Sequence, residues 1–179
     1  ITGKNDRNID FKSYDELWKA WETALKFYSD LAVDCDLVCD RSLKHFDADA
    51  FASATINCSL ERGKTLKNGG AEYDYVSQSN IGPSVVGDSL AAVKKLVFDD
   101  KVITMKQLRD AMDTNFEGIE GAKIRKLCRQ APKFGNDIDY VDNIVADVYE
   151  SYLALLPNYR TDRYGSGPKG CGYTMSTSN

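Results

Sequence analysis

The stretch "NGGAEYDY", Asn68 to Tyr75, separates two long helical patterns and has the pattern of neither. Its double glycine suits a helix poorly, because glycine in a helix interior costs roughly 1 kcal/mol relative to alanine. The last four residues alternate between acidic and aromatic side chains, which is the period of a strand. We predict a strand within residues 67–80, with Glu72 and Asp74 on one face and Tyr73 and Tyr75 on the other.

Residues 1–66, before this strand, predict a long helix and then a second one. Ser13-x-x-Glu16 has the spacing of a capping box, which marks a helix start. Apolar residues then recur at intervals of three and four for about 30 residues. We interpret this stripe as packing surface; it includes Tyr14, Leu17, Trp18, Trp21, Leu25, Tyr28, Leu31, Cys35 and Val38.

The second helix follows Asp47, carries Phe51 and Cys58 on its apolar face, and is expected to stop at Gly63. Residues 81–156 predict four further helices. The third helix follows Gly82-Pro83 and is apolar nearly all round, so we expect it to be buried on several sides. Thr104 and Gln107 cap the fourth, and the last two are predicted over 122–130 and 137–155. The sixth has an apolar stripe made of Ile138, Val141, Ile144, Val145, Val148 and Tyr152.

Residues 157–179 predict a glycine-rich loop and a terminal strand, "GYTMSTSN". The fold class is therefore predominantly α with about two strands. Two strands joined by long connections do not make a stable sheet by themselves. We expect their partners elsewhere, and we interpret residues 1–179 as an excised segment of one domain.

Composition excludes several classes of function. The 179 residues are 42% hydrophobic and 28% charged, as in ordinary globular proteins, and the net charge of −4 predicts no binding to nucleic acid or anionic membranes. No run approaches the roughly 20 apolar residues of a membrane span. Five cysteines without disulfide spacing indicate a reducing, cytoplasmic setting with buried thiols.

A metal site is the alternative interpretation of some of these cysteines. Cys35 and Cys39 share a helix face, and Cys58 and His45 are the residues that would complete a site. No two-plus-two ligand spacing is present, so we predict small core residues and no metal. We interpret His45 as a helix C-terminal residue favoured by the helix dipole rather than as a catalytic base.

Several familiar catalytic motifs are missing: there is no Walker loop, HExxH, CxxC or GxSxG. Chemistry would have to rest on Glu72, Tyr73, Asp74 and Tyr75, or on the glycine-rich loop around Cys171. The alternative for the first group is an edge strand with a solvated acidic face. Gly69 and Gly70, however, permit a close approach of the backbone to another part of the protein.

Four motifs in order identify a family resemblance. They are "NGGAEYDY", "GPSVVGDSLAAVKKLVFDDKVITMKQL", "NFEG" and "APKFGNDIDYVD". Together they resemble the later part of the pyruvate formate-lyase-like domain of glycyl radical enzymes, and the similarity extends from "SYDELW" to the terminal strand. The resemblance implies a ten-stranded α/β barrel in which a cysteine loop meets a glycyl radical loop. The implied substrates are small polyols, amino-alcohols, hydroxyproline, arylacetates or pyruvate.

The resemblance also implies that the radical residues lie outside this chain. The family's Gly-Cys-x-Glu loop comes before this region and its Arg-Val-x-Gly-Tyr loop after it. "GCGY" at Gly170 to Tyr173 lacks the flanking residues of both, so we predict no catalytic residue here. We expect Glu72, Tyr73, Asp74 and Tyr75 to line the substrate cavity, although the family pattern has Asn where this chain has Asp74.

The expected parent is a homodimeric dehydratase or lyase whose radical is installed by a radical S-adenosylmethionine activating enzyme. This segment would bind no cofactor, would be inactive alone, and would act with the rest of the polypeptide on a small-molecule substrate. Two alternatives stay open. One is a non-catalytic helical interaction module, and the other is one chain of a split formate acetyltransferase-like enzyme.

Overall fold

The computed structural model describes residues 10–74, 77–160 and 170–172, which are mostly helical. The α-helices are α1 (Tyr14–Phe46), α2 (Ala50–Thr55), α3 (Ser59–Arg62), α4 (Pro83–Val93), α5 (Met105–Asp113), α6 (Gly118–Gln130) and α7 (Asp139–Leu153). The other elements are a π-helical turn continuing α4 (Lys94–Asp99), 3₁₀ turns (Leu66–Asn68 and Leu156–Asn158) and strands β1 (Ser77–Ser79) and β2 (Gly170–Gly172). Within the described ranges, no helix combines the length and hydrophobicity needed to cross a membrane.

The chain divides into two compact units. The first contains, among the described residues, 10–24 and 82–151, and the second contains 25–74, 77–81, 152–160 and 170–172. Each unit is made from two separated stretches of sequence. Long-range contacts are therefore needed to complete either of them.

The predicted start of α1 is confirmed. The Glu16 backbone N–H donates to Ser13 Oγ at 3.2 Å, as in a capping box. The Glu16 carboxylate accepts from the Lys12 N–H at 2.8 Å, one residue earlier than the reciprocal bond of that motif. The helix then runs for 33 residues, close to the predicted length. His45 lies in its last turn, as expected.

The first-unit part of α1 packs as its apolar stripe predicts. Tyr14, Leu17, Trp18 and Trp21 lie against a buried cluster formed by α4 and α7. That cluster consists of Leu90, Ala91, Val141, Ile144, Val145 and Val148. The stripe predicted for the sixth helix is thus the core-facing side of α7, while Ile138, which precedes the helix, is 37% exposed.

The second-unit part of α1 differs from the prediction. Cys35 and Cys39 are exposed, so the expectation of buried thiols is wrong for these two residues. The face turned inward contains Ser29, Val33 and Asp40. Whether a thiol is buried depends on which face of the helix meets the rest of the unit. In this part of α1 the apolar stripe faces away from the unit.

The predicted second helix is interrupted. Ile56 is extended and Cys58 adopts a left-handed conformation with φ 70°, so α2 and α3 are separate short helices. Phe51, expected on an apolar face, is 85% exposed. The predicted stop is confirmed, because Gly63 ends α3 in the left-handed conformation that glycine adopts without strain.

Helices α4 to α6 follow the sequence closely. The Thr104 capping box is confirmed, with Gln107 N–H donating to Thr104 Oγ1 at 3.1 Å and Thr104 N–H to Gln107 Oε1 at 2.8 Å. Helix α6 begins at Gly118, four residues before the predicted start. Helix α4 buries Gly87, Leu90, Ala91 and Ala92, so it is covered on several sides as predicted, although Val85 is 67% exposed.

A second core lies in the same unit, where the π turn meets α5 and α6. It consists of Leu96, Ile103, Leu108, Ala111 and Ile124. Helices α4 and α7 approach very closely at Gly87, where a Cβ atom would collide with Cγ2 of Val145. This contact explains the glycine in the middle of α4, where glycine otherwise weakens a helix.

The strand prediction is only partly confirmed. β1 covers Ser77–Ser79, and among the described residues before it 66–68 form a 3₁₀ turn and 69–74 are irregular backbone. β1 pairs in parallel with β2, with Ser77 opposite Gly170 and Ser79 opposite Gly172. Of the predicted terminal strand, residues 173–179 lie outside the described residues.

Candidate functional site

The predicted site residues lie between the double glycine and β1, in the second unit. Glu72 is exposed, Tyr73 is 72% exposed and Asp74 is half-buried. Because residues 71–74 are not in a strand, the expected separation of acidic and aromatic side chains onto two faces does not apply to them. Tyr75 lies outside the described residues.

The two glycines have different structural roles. Gly69 has φ 70°, a left-handed conformation that ends the 3₁₀ turn and favours glycine. Gly70 lies so close to its neighbours that a Cβ atom would collide with the Lys64 carbonyl oxygen and lie 2.8 Å from Ser59 Oγ. The close backbone approach predicted from the sequence is therefore present, and it is made to α3 and the loop after it.

Backbone hydrogen bonds hold this turn in place. The Thr65 carbonyl accepts from the N–H groups of Asn68 and Gly70, both at 2.9 Å. One residue later, the Leu66 N–H donates to Ser53 Oγ at 2.9 Å, and Ser53 Oγ donates to the Asp49 carbonyl at 2.7 Å. The turn is thus tied to the start of α2, and it delivers Ala71, which is only 3% exposed, to a buried position.

Two residues that the sequence analysis did not place at the site contact it. Arg62 Nη1 donates to the Ala71 carbonyl at 2.6 Å and lies 3.5 Å from the Gly70 carbonyl. Cys58 Sγ lies 4.0 Å from a Glu72 carboxylate oxygen. No local sequence pattern connects these residues to Glu72. Gly63 and Gly69 could have indicated the contact, because they mark a chain reversal that brings the chain back to α3.

Chemically, the segment presents a carboxylate and a phenol on an anchored backbone. Carboxylate oxygens accept hydrogen bonds from hydroxyl and ammonium groups, and a tyrosine hydroxyl can donate as well as accept. Such groups can orient a polyol or an amino-alcohol. Among the described residues no group of three His, Cys, Asp or Glu side chains is arranged to hold a metal ion.

The glycine-rich loop contributes β2. Cys171 lies opposite Gln78 in the register of the two strands. The predicted terminal strand begins at Gly172, so it overlaps β2 at that residue alone, and Gly170 and Cys171 fall in what was predicted as loop. Residues 161–169, which precede it, lie outside the described residues.

A polar cluster in the first unit has a structural explanation. Lys94, at the start of the π turn, lies 5.1 Å from the ring centroids of both Tyr14 and Tyr140, which is cation–π geometry. Tyr140 donates a 2.8 Å hydrogen bond to Asp99 at the end of the turn. Burial raises the pKa of Tyr14 to about 12, and burial followed by the Asp99 hydrogen bond raises the pKa of Tyr140. The Tyr140 hydroxyl and the rings of both tyrosines thus hold the two ends of the π turn in place.

An open groove of about 590 Å³ lies beside this cluster, lined by residues 10–15, 97–99, 101 and 103–105. Its charged side chains have mixed sign, with Asp10, Asp15 and Asp99 beside Lys12 and Lys101. None of the predicted site residues lines it. The groove therefore adds no support to the predicted chemistry.

Comparison with known proteins assigns the chain to a family. The model of the family described as pyruvate formate lyase-like matches residues 2–179. The probable dehydratase YbiW of Escherichia coli K12 is 39% identical over 171 residues, which are 95% of this chain and 21% of that protein.

Solved structures agree. Glycerol-bound B12-independent glycerol dehydratase from Clostridium butyricum matches with a TM-score of 0.79 and 33% identity, over 87% of this chain and 20% of that one. Hydroxyproline dehydratase from Clostridioides difficile matches with a TM-score of 0.81 and 30% identity, over 91% of this chain and 20% of that one. The chain thus spans about a fifth of these relatives. It belongs to the pyruvate formate lyase-like family of glycyl radical enzymes, among the dehydratases and lyases.

Proposed function

We propose that this chain is a segment of a glycyl radical dehydratase or lyase that acts on a small polar substrate. The observation that carries the proposal is the family match over residues 2–179, together with relatives named as dehydratases and sulfite-lyases. In such a reaction a cysteine thiyl radical takes a hydrogen atom from a substrate carbon, a neighbouring group leaves, and the hydrogen atom returns to the product radical. Both radical residues lie in parts of the parent outside these 179 residues.

The segment has two roles in this proposal. Its helices supply scaffold, and β1 and β2 become wall strands of a ten-stranded α/β barrel. The parallel pairing of β1 with β2 supports the second role, because two isolated strands need further neighbours to form a stable sheet. The parent is a cytoplasmic homodimer that receives its radical from a radical S-adenosylmethionine activating enzyme.

The segment that precedes β1 lines the substrate cavity. Glu72 and Tyr73 are exposed in this chain although the backbone beside them, at Gly70 and Ala71, is buried and anchored by Arg62. An anchored backbone presenting exposed polar side chains is the arrangement that a binding site requires. In the cavity, Glu72 accepts hydrogen bonds from substrate hydroxyl groups, and the Tyr73 hydroxyl donates to the departing group.

The test uses the full-length parent enzyme with matched radical loading. Glu72→Gln and Tyr73→Phe remove a charge and a hydroxyl while keeping size and shape. We expect each to lower kcat/KM by about 10- to 100-fold, in the range of single positioning or acid–base groups. Glu61→Gln, on the exposed side of α3, is the control. Unchanged kcat and KM in both site variants would show that residues 72–73 do not line the cavity.

A separate test addresses the reaction class. The sequence encoded on either side of this segment should contain Gly-Cys-x-Glu before it and Arg-Val-x-Gly-Tyr after it. The 179-residue chain alone, incubated with activating enzyme and reductant, should show no glycyl radical signal. A radical doublet assignable to Gly165, Gly167, Gly170 or Gly172 would overturn the assignment of the radical to another segment.

A further inference from the structure

The second-unit part of α1 carries an exposed apolar face. Tyr28, Leu31 and Val38 are 60%, 50% and 62% exposed, and Cys35 is also exposed. Their spacing of three, four and three residues is that of a coiled-coil contact line. We call these four residues the α1 seam.

The opposite face of the same helix is covered although it includes polar side chains. Ser29, Val33 and Asp40 are 6%, 6% and 9% exposed. An amphipathic helix with a single neighbour turns its apolar stripe inward and its polar face outward. The second-unit part of α1 instead covers polar as well as apolar residues on one side and exposes the apolar seam on the other, which is the distribution expected of a helix that packs on both sides.

The seam continues a stripe that already packs against protein. Leu17, Trp21 and Ala24 precede Tyr28 at intervals of four, three and four residues. Leu17 and Trp21 lie against the first-unit core. One continuous line of side chains therefore serves as a helix-packing surface in its first part and is exposed in its second.

The size of the seam decides between possible occupants. From Tyr28 to Val38 it is about 15 Å long at 1.5 Å per residue. That is short for an association between free chains, since stable interfaces bury about 800 Å² per partner. A helix of the same polypeptide loses less freedom on docking, so a small contact is sufficient.

We propose that the α1 seam docks a helix of the same polypeptide that lies outside these 179 residues. The inference rests on the proposed function in one respect, namely that the chain is part of a larger enzyme. The relatives, which match α1 and are about five times as long as this chain, contain ample sequence to supply such a helix. The docked helix presents an apolar stripe to the seam.

Cysteine labelling of the full-length protein, before radical installation, tests whether the seam is covered. Maleimide modification of Cys35 is followed by peptide mass spectrometry, in native buffer and in denaturant. A covered seam should label at least about tenfold more slowly in the native protein, because labelling then requires local opening. Equal rates would overturn the proposal.

Two variants sharpen this measurement. Leu31→Glu places a charge in the apolar contact and should raise the native labelling rate of Cys35 by about tenfold. Thr23→Glu adds the same charge to an exposed position of α1 away from the seam and should leave the rate unchanged. If Leu31→Glu does not fold, the wild-type protection of Cys35 still decides whether the seam is covered.

Photocrosslinking identifies the occupant. With benzoylphenylalanine in place of Leu31, we expect an adduct within one polypeptide, to a peptide outside the 179 residues. A product of doubled mass would assign the seam to a second copy, and an adduct within the segment would show that the segment covers itself; either result overturns the proposal. An active parent enzyme with freely reactive Cys35 would refute this inference alone, whereas flanking sequence without the two radical-loop motifs would refute the proposed function.

Discussion

The guanidinium of Arg62 donates a 2.6 Å hydrogen bond to the backbone carbonyl of Ala71, nine residues further along the chain. This bond fastens the segment that carries Glu72 to α3. Charged donors make stronger hydrogen bonds than neutral ones, and a backbone carbonyl at a buried residue has no easy replacement for a lost partner. Arg62 is therefore a positioning residue for the candidate site.

We expect Arg62→Ala to lower the free energy of unfolding by about 1 kcal/mol, the net contribution of one such hydrogen bond at a partly exposed site. In the full-length enzyme KM should rise more than kcat falls, because the side chain positions the site without touching the reacting atoms. Steady-state kinetics and urea unfolding measure both effects. Arg62→Lys should recover part of the lost stability and affinity, and Glu61→Ala should change neither KM nor the free energy of unfolding. A variant with unaltered KM and stability would show that the bond does not position the segment.

Gly70 should tolerate no side chain. A Cβ atom there meets the Lys64 carbonyl and lies 2.8 Å from the Thr65 carbonyl, and backbone atoms cannot move aside as a flexible side chain can. We expect Gly70→Ala to cost about 1–3 kcal/mol, the range for overpacking. Gly63→Ala is the matched control: its φ of 60° imposes strain of about 1 kcal/mol, but no other atom lies within 4 Å of the added methyl group. Equal losses of stability would mean that steric contact at Gly70 is unimportant.

Gly87 and Val145 should behave as a coupled pair. Gly87→Ala places a methyl group against Val145, and we expect it to cost about 1–3 kcal/mol despite the higher helix propensity of alanine. Val145→Ala makes room for that methyl group. In the double variant the cost of Gly87→Ala should therefore nearly vanish. A double-mutant cycle on unfolding free energies measures the coupling, and strict additivity would contradict the close contact of α4 and α7.

Stability should depend on pH through the hydrogen bond from Tyr159 to Asp30, which is 2.7 Å long. Hydrogen bonds from Lys26 and then Tyr159 hold the pKa of Asp30 below its ordinary value of 3.8. The resulting stabilisation is complete above pH 3.8 and is lost as pH falls through the folded-state pKa. Burial, followed by the hydrogen bond to Asp30, raises the pKa of Tyr159 from 10.0 to about 12. Its contribution is complete below pH 10 and is lost as pH rises towards 12.

The variant Tyr159→Phe tests the predicted pH dependence at both its acidic and its alkaline end. The pKa of Asp30, followed by NMR titration of its carboxyl carbon, should rise in the variant while staying below 3.8, because the Lys26 bond remains. The alkaline loss of stability between pH 10 and 12 should become smaller. Tyr73→Phe, which replaces a 72% exposed tyrosine, is the control. An unchanged Asp30 titration would show that the hydrogen bond does not persist in solution.

Local chemistry was sufficient to predict most helix boundaries. Ser13, Thr104 and Gly63 act through hydrogen bonds or backbone angles within a few residues of themselves, so their positions in the sequence identify helix ends. The stripe of α7 was likewise largely predictable, because Val141, Ile144, Val145 and Val148 all face a single core. The break between α2 and α3 was not, since Cys58 has a left-handed conformation that its residue type does not favour.

The sequence by itself determined the family, the helical character of the chain, and the presence of a close backbone approach at the double glycine. Only the tertiary structure decided what Gly70 approaches, because Lys64, Ser59 and Arg62 meet it through a chain reversal. The exposure of Cys35 was decided in the same way. A stripe specifies that a helix has an apolar face, but which face is covered depends on neighbours brought together from distant parts of the sequence, and in the second-unit part of α1 those neighbours cover Ser29, Val33 and Asp40.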